Sequence, residues 1–357
     1  MSKHIAILVG TRPNFIKITQ FKKEAISKGI KISLIHTGQH YDYKMAGSFF
    51  DQLDIAPDHF LEVPPGSPAM QMGNIMLRLT ELLEELNPDI LIVPGDVNST
   101  LAGAITANKM GIKLAHLESG LRSNDERMPE EINRILTDRI TDLFFVTEPS
   151  GLENLKKEGV PESQIHYVGN TMIDTLVAFD ESIKQSDVLT QLKVEKGSYV
   201  LVTIHRPSNV DQPEELKFVC NLLEQITTKN EVVFPIHPRT IKRLKDMNLF
   251  ETLNANPKLH LTEPQDYFSF QNLILHSKLV LTDSGGIQEE TTFRKVPCLT
   301  LRENTERPIT ITEGTNKLVK FDIEEIIQHI EESSNTQGTV PKFWDGNATK
   351  RILEILA

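Results

Sequence analysis

Cysteine is scarce in this 357-residue chain: there are two, Cys220 and Cys298, far apart and outside any CxxC spacing. That excludes a disulfide framework and a zinc knuckle, fits a reducing compartment, and leaves both thiols as packing residues. No apolar stretch approaches the ~18 residues that suggest a bilayer span. The first apolar run, Ile5 to Val9, is too short for a signal-peptide core and ends at Gly10-Thr11-Arg12-Pro13, so it reads as a first strand. A soluble, cytoplasmic chain with no membrane partner is expected. Positive charge is in deficit, with 38 Lys and Arg against 49 Asp and Glu and a net charge of -11. No nucleic-acid partner is therefore expected, and basic residues that cluster locally are expected to grip a small anion.

Several signatures are missing as well. There is no GxxxxGK[ST] phosphate loop and no GxGxxG after any strand, which disfavours a tightly bound dinucleotide and transient oxidation by NAD. His36, His40, His116, His205 and His237 occur singly, without HExxH spacing, so neither a metal nor any other cofactor is expected.

What is present is alternation. Short β-rich runs at His4–Val9, 32–36, 90–93, Lys113–Leu117 and Leu143–Val146 alternate with amphipathic stretches such as 70–86 and 99–110. A second set follows at 199–204, 231–236, 258–261, 279–281 and Cys298–Leu301, with a helix over Pro213–Lys229. Such a pattern calls for parallel strands with crossover helices on both faces, in two tandem α/β units. The changeover is placed after Val168-Gly169-Asn170-Thr171, with the polar stretch 181–198 between the strand sets and a loop over 331–340 before a last helix at Ala348–Leu356. The expected boundaries are 1–175, 176–342 and a closing helical segment 343–357.

In open parallel sheets ligands sit beyond the carboxyl ends of the strands, and reactive residues concentrate there in this chain. Strand one delivers Arg12 and then Lys17, and later strands deliver Gly95-Asp96, His116 with Glu118, His205-Arg206 and His237. The strongest single feature is Leu281-Thr282-Asp283-Ser284-Gly285-Gly286-Ile287-Gln288-Glu289-Glu290. It reads as a buried strand turning through two glycines into a helix. Its first N–H groups lack internal partners and favour an anion, and Glu290 could accept two hydrogen bonds from a ribose diol. Glu118 follows a buried strand and precedes Ser-Gly, a position where desolvation favours the neutral acid. Plainer roles compete at each site: Asp96 could cap a helix, Lys17 could lie on a solvated helix face, His205 could cap a strand end, and Glu130 and Glu131 follow Pro129 as helix-start acids.

Eight motifs occur in order: Gly10-Thr11-Arg12-Pro13, Gly38-Gln39-His40, Gly95-Asp96, His116-Leu117-Glu118-Ser119-Gly120-Leu121-Arg122, Met128-Pro129-Glu130-Glu131-Ile132-Asn133-Arg134, His205-Arg206, Thr282 to Glu290, and Thr305-Glu306-Arg307-Pro308. In this order and spacing the chain resembles the non-hydrolysing UDP-N-acetylglucosamine 2-epimerases over essentially its whole length. The resemblance implies a GT-B fold, in which two Rossmann-like domains with parallel sheets face an interdomain cleft and the final helix returns to the first domain. It implies a homodimer, without metal or nicotinamide, that interconverts UDP-GlcNAc and UDP-ManNAc for cell-surface polysaccharide synthesis. By matching motif, Asp96, Glu118, Glu131 and His205 form the catalytic set. Arg12, Lys17, Arg206, Ser284, Gly285, Gly286, Glu290 and Arg307 hold UDP, with His237 and Gln271 on the uracil side. Two departures stand out: Asn14 where the family often has glutamate, and Tyr41-Asp42-Tyr43 where it often has Arg-Glu-Met. The second falls in a region similar to part of an allosteric site of bacterial members, so such activation is not carried over.

Epimerases of UDP-2,3-diacetamido-2,3-dideoxyglucuronic acid also resemble this variant, leaving the sugar open. A hydrolysing 2-epimerase, a GT-B glycosyltransferase and a non-catalytic UDP-sugar sensor are the rival readings. The ordered set of acids favours an epimerase over the last two.

Overall fold

A computed structural model describes residues 3–38 and 47–357, the first three residues of the second segment by backbone only. Gln39, His40 and Tyr41-Asp42-Tyr43 lie outside the described residues. The chain divides into two compact units, Met1–Phe179 with Lys342–Ala357, and Asp180–Pro341.

In the first unit β1 (His4–Val9), β2 (Lys31–His36), β3 (His59–Phe60), β4 (Ile90–Pro94), β5 (Lys113–Leu117), β6 (Leu143–Val146) and β7 (Ile165–Tyr167) form a parallel sheet in the order β3-β2-β1-β4-β5-β6-β7. In the second, β8 (Tyr199–Thr203), β9 (Glu231–Pro235), β10 (Leu259–Thr262), β11 (Leu279–Thr282), β12 (Cys298–Leu301) and β13 (Asn316–Val319) repeat the arrangement as β10-β9-β8-β11-β12-β13. Both are doubly wound sheets whose strand order reverses once, between β1 and β4 and between β8 and β11. That crevice is where such sheets bind ligands.

The central strands are continuous apolar runs because helices cover both of their faces. Along β1 and β4 every residue is buried. Leu8, Leu91 and Val93 pack with Leu79 and Leu83 of the helix Pro68–Leu86. Ser67 caps the start of that helix by accepting from the Met70 N–H, and Asn87 ends it in the left-handed conformation. In the second unit Val200, Val202, Phe234 and Leu281 meet Leu216, Leu223 and Ile226 of the helix Pro213–Lys229. Both cysteines are buried and free, and burial pushes each thiol up to about 11. Among the described residues no helix is long and apolar enough to cross a membrane.

Strands β3, β7 and β13 are additions to the sequence reading. All three are edge strands, half solvated and too short to show an apolar run. The polar stretch 181–198 holds two short helices, Asp180–Lys184 and Val188–Leu192, each buried through a single apolar residue. The stretch 331–340 begins as the end of the helix Ile323–Glu332 and one 3-10 turn, and only then becomes a loop.

The last residues of the chain are clamped into the first unit. Trp344, the chain's one tryptophan, is fully buried and donates from Nε1 to the Thr147 carbonyl at 3.0 Å. Asp174 caps the helix Ala348–Leu356 by accepting from the N–H groups of Ala348 (3.0 Å) and Thr349 (2.6 Å). The Phe343 carbonyl presses against Gly169, which has φ +88° and no room for a Cβ. Gly169→Ala must therefore displace the closing segment as well as strain the backbone, and a loss of at least about 2 kcal/mol in denaturant unfolding is expected. Gly159→Ala is the control, because Gly159 has φ +84° with nothing within 4 Å. It should cost only the backbone strain, about 1 kcal/mol.

Candidate active site

Three strand ends converge at the switch point of the first sheet. After β1 the chain turns at Gly10, where a Cβ would collide with Ser99 at the start of the helix Asn98–Met110. Asn14 then fastens the turn: its Oδ1 accepts from the N–H groups of Gly10 and Thr11, each at 3.3 Å, and its Nδ2 donates to the Pro94 carbonyl at 3.2 Å. An ionised glutamate could not make the last of these bonds, so the departure from the family pattern has a local structural use here. Arg12 is exposed at the start of the short helix Arg12–Ile16.

Lys17 is buried, which excludes the solvated-helix reading, and its Nζ lies 2.7 Å from Oε2 of Glu118 at the end of β5. Glu118 is itself buried and has φ +65°, an uncommon conformation for a residue with a side chain, and such strain concentrates at functional sites. Gly95, also at positive φ, fits against the Lys17 ammonium, where a Cβ would lie 2.9 Å from Nζ. The next residue, Asp96, is partly exposed, with Oδ2 3.0 Å from Nε of Arg134. Asp96 is not the helix cap, a position that Val97 occupies.

Glu131 is 1% exposed, and both of its oxygens are engaged. Oε2 accepts from the Ser123 N–H (2.9 Å) and hydroxyl (3.0 Å) and pairs with Arg134, while Oε1 accepts from the Asn124 N–H at 2.9 Å. It thus holds the loop after β5 and aims Arg134 at Asp96. Beneath these acids lies a residue the sequence reading did not single out, Asp138. The helix Pro129–Arg139 turns Glu131, Arg134 and Asp138 inward while Ile132 and Leu136 face outward, the reverse of an ordinary amphipathic helix. Charged residues at i, i+3 and i+7 on one helix face were the available signal.

Beside these groups, within the first unit, is an open cavity of about 810 Å³ lined by Gly10, Thr11, Asp96, Ser99, Glu130 and Asn133 among others. Its size suits a small organic ligand. Asp96 and Glu130 reach this cavity, while Glu118 and Glu131 are not part of its lining.

The second unit repeats the logic with cations. Asp283, fully buried at the end of β11, accepts through Oδ2 from the N–H groups of His205 (2.9 Å) and Arg206 (2.8 Å) and from Asn209 Nδ2 (3.0 Å). Its Oδ1 lies 3.1 Å from Nδ1 of His205. Burial pushes the Asp283 carboxyl upward, but His205 and the two backbone N–H groups outweigh it and hold the carboxyl below its ordinary value. His205 is thereby oriented, with its ring half exposed. His237 caps the helix Pro238–Asp246 by accepting from the Arg239 N–H at 3.1 Å, with its ring centroid 6.2 Å from that of His205. Burial, His205 and Arg239 together lower its proton affinity.

Ser284 is the cap position of the helix Gly285–Arg294, and its side chain makes no capping bond. Arg307 lies against Gly285, where a Cβ would be 2.6 Å from its guanidinium, so only glycine lets that cation approach the helix start. Glu289, 2.9 Å from Arg307 Nε, and Glu306 hold the guanidinium in place. Glu290 is buried and hydrogen-bonded to Gln271. Burial, opposed by that bond and reinforced by Glu289, pushes its carboxyl up to about 7.

Comparison with known proteins identifies the family. Residues 23–357 match the profile of the family described as UDP-N-acetylglucosamine 2-epimerase. The chain belongs to this family. It is 40% identical to a UDP-N-acetylglucosamine 2-epimerase of Methanocaldococcus jannaschii, over 99% of this chain and 98% of that one. A Pseudomonas aeruginosa UDP-2,3-diacetamido-2,3-dideoxy-D-glucuronate 2-epimerase is 35% identical over 99% of both chains. The fold matches the crystal structure of the M. jannaschii UDP-GlcNAc 2-epimerase in complex with UDP-GlcNAc and UDP, with TM-score 0.90, 38% identity and 99% of each chain covered. Membership of the 2-epimerase family makes the chain an isomerase, with two Rossmann-like α/β units of the GT-B type.

The raised Glu290 carboxyl has a stability consequence. A folded-state value of about 7 against an ordinary 4.5 favours the protonated form, so its contribution is full below about pH 4.5 and is lost as the pH rises through 7. Glu290→Gln should remove that loss. We expect its urea midpoint to match wild type at pH 4.5 and to exceed it at pH 8.

Proposed function

We propose that this chain interconverts UDP-GlcNAc and UDP-ManNAc by eliminating and re-adding UDP. The observation that carries the reading is the pair of acids on adjacent parallel strand ends, Asp96 after β4 and Glu118 after β5, each with its own cation, Arg134 and Lys17. The C2 hydrogen of a sugar nucleotide is not beside a carbonyl, so a base alone cannot remove it at neutral pH. The departing UDP supplies the electron sink. As the anomeric C–O bond breaks, its electron pair leaves on the β-phosphate. One carboxylate takes the C2 proton, and the C–H pair becomes the C1=C2 bond of a glycal. Return of a proton to the opposite face of C2, with UDP re-adding at C1, gives the epimer.

Asp96 and Glu118 are the proton-transfer groups in this scheme, and Glu131 acts with them through Arg134 and the loop it holds. Arg12, Arg206 and Arg307, with the helix start at Ser284-Gly285-Gly286, stabilise the charge that develops on the leaving diphosphate, while Lys17 acts through its pair with Glu118. His205, fixed by Asp283, balances phosphate charge or shuttles a proton. Glu290 takes the ribose diol, and Gln271 and His237 serve the uracil side.

NMR of UDP-GlcNAc incubated with the protein in heavy water tests the scheme. Deuterium should enter C2 as the epimer forms, without free sugar. Asp96→Asn and Glu118→Gln should each lower turnover by about 100-fold or more while UDP affinity is retained. Stoichiometric free sugar would establish hydrolysis instead, and turnover without C2 exchange would rule out the elimination. Running the diacetamido-glucuronate nucleotide beside UDP-GlcNAc settles the preferred sugar.

We also propose that the working form is a homodimer. Met70 and Leu77 are 63% and 69% exposed on the helix Pro68–Leu86, and Ile132 and Leu136 face outward from Pro129–Arg139. Both helices pack on Asn98–Met110, so a second copy covering this side would bury all four. Sedimentation should give a dimer for wild type and a folded monomer for Leu77→Lys combined with Leu136→Lys. A monomeric wild type would refute the assignment.

A further inference from the structure

His116 is fully buried in the middle of the first sheet, and both of its ring nitrogens are engaged. Nδ1 lies 2.7 Å from Oδ1 of Asp138, and Nε2 lies 2.8 Å from the carbonyl oxygen of Gly95. A carbonyl oxygen can only accept. The other oxygen of Asp138 already takes the Gly120 N–H at 3.0 Å and the Arg122 guanidinium at 2.7 Å. Burial pushes the Asp138 carboxyl upward, but the charges and hydrogen bonds of His116 and Arg122 prevail and hold it below its ordinary value. The Asp138 oxygen that takes the Gly120 N–H and the guanidinium accepts twice, so with the Gly95 carbonyl on the other side both ring nitrogens of His116 face acceptors.

The placement of these bonds matters more than their number. Gly95 is the residue before Asp96, and it sits at φ +70° with Lys17 against it. Gly120 lies two residues after Glu118, also at positive φ, packed against the Gly151 backbone. One buried pair thus grips the peptide leading into one candidate acid and the peptide leading out of the other. Arg122 anchors the pair from behind, held in turn by both oxygens of Glu158 at 2.9 Å.

We infer that His116 is a doubly protonated strut, held by Asp138, that sets Asp96 and Glu118 at their working separation and so positions the two proton-transfer groups without touching substrate. The inference rests on the proposed roles of those two acids. Displacement of a reacting group by ~1 Å can cost about 100-fold in rate, so a strut of this kind should act on kcat.

Two variants separate its two bonds. His116→Asn keeps a donor near Asp138 but cannot reach Gly95, whereas His116→Gln can still donate to the Gly95 carbonyl. We expect His116→Asn to lose about 100-fold in kcat with KM and UDP affinity within about 3-fold of wild type, and His116→Gln to recover part of that loss. Long-range proton–nitrogen spectra of histidine-labelled wild type should show protons on both ring nitrogens of His116. This second measurement does not depend on a variant folding. A singly protonated ring overturns the inference, as does a folded His116→Asn with kcat within 3-fold of wild type. If Asp96→Asn and Glu118→Gln are themselves active, the proposed function fails; if they are inactive while His116→Asn is active, only the strut fails.

Discussion

The ion pair between Lys17 and Glu118 is the constraint around which the first unit is arranged. At 2.7 Å and out of solvent, neither charge is tolerable without the other, and breaking such a pair costs about 3–5 kcal/mol. It ties the turn after β1 to the end of β5 across the strand between them, and the residue it presses on is Gly95, at the end of that intervening strand. A side chain at Gly95 would push the ammonium away. Gly95, which touches this pair, and Glu118, which belongs to it, sit at positive φ, as does Gly120 two residues on, which packs against the Gly151 backbone.

The two units solve one problem in the same way. Each has a doubly wound parallel sheet, and each places a fully buried aspartate where loops must be held still: Asp138 beneath the first sheet's strand ends and Asp283 at the end of β11. Each aspartate orients a histidine through Nδ1 and binds backbone N–H groups with its other oxygen. The difference lies in what is presented. Carboxylates with attendant cations stand at the ends of β4 and β5, whereas the second unit offers a glycine-lined helix start, a clamped arginine and a half-exposed histidine. In the proposed elimination the acids of the first unit transfer the proton and the helix start of the second takes the diphosphate.

Much of this was legible beforehand. Central strands such as β1, β4, β8 and β11 announce themselves because burial on both faces demands unbroken apolar runs, and the residues following them could be read as candidates because strand polarity puts them on one edge. The edge strands β3, β7 and β13 were not legible, since a half-solvated strand of two to four residues carries no such run. The facing of helix Pro129–Arg139 was not legible for another reason: Ile132 and Leu136 face outward while Glu131, Arg134 and Asp138 face inward, so apolar periodicity alone orients it backwards.

The sequence by itself determined the fold class and the inventory of reactive groups, because alternating apolar runs, glycine turns and motif order are properties of neighbouring residues. Only the tertiary structure decided their partners. That Lys17 meets Glu118 at a separation of 101 residues, that Glu131 spends both oxygens on a loop and an arginine, and that Asp138 stands behind His116 are facts about strands brought side by side. Charge state, orientation and desolvation arise from those long-range neighbours, and no local pattern in the chain encodes them.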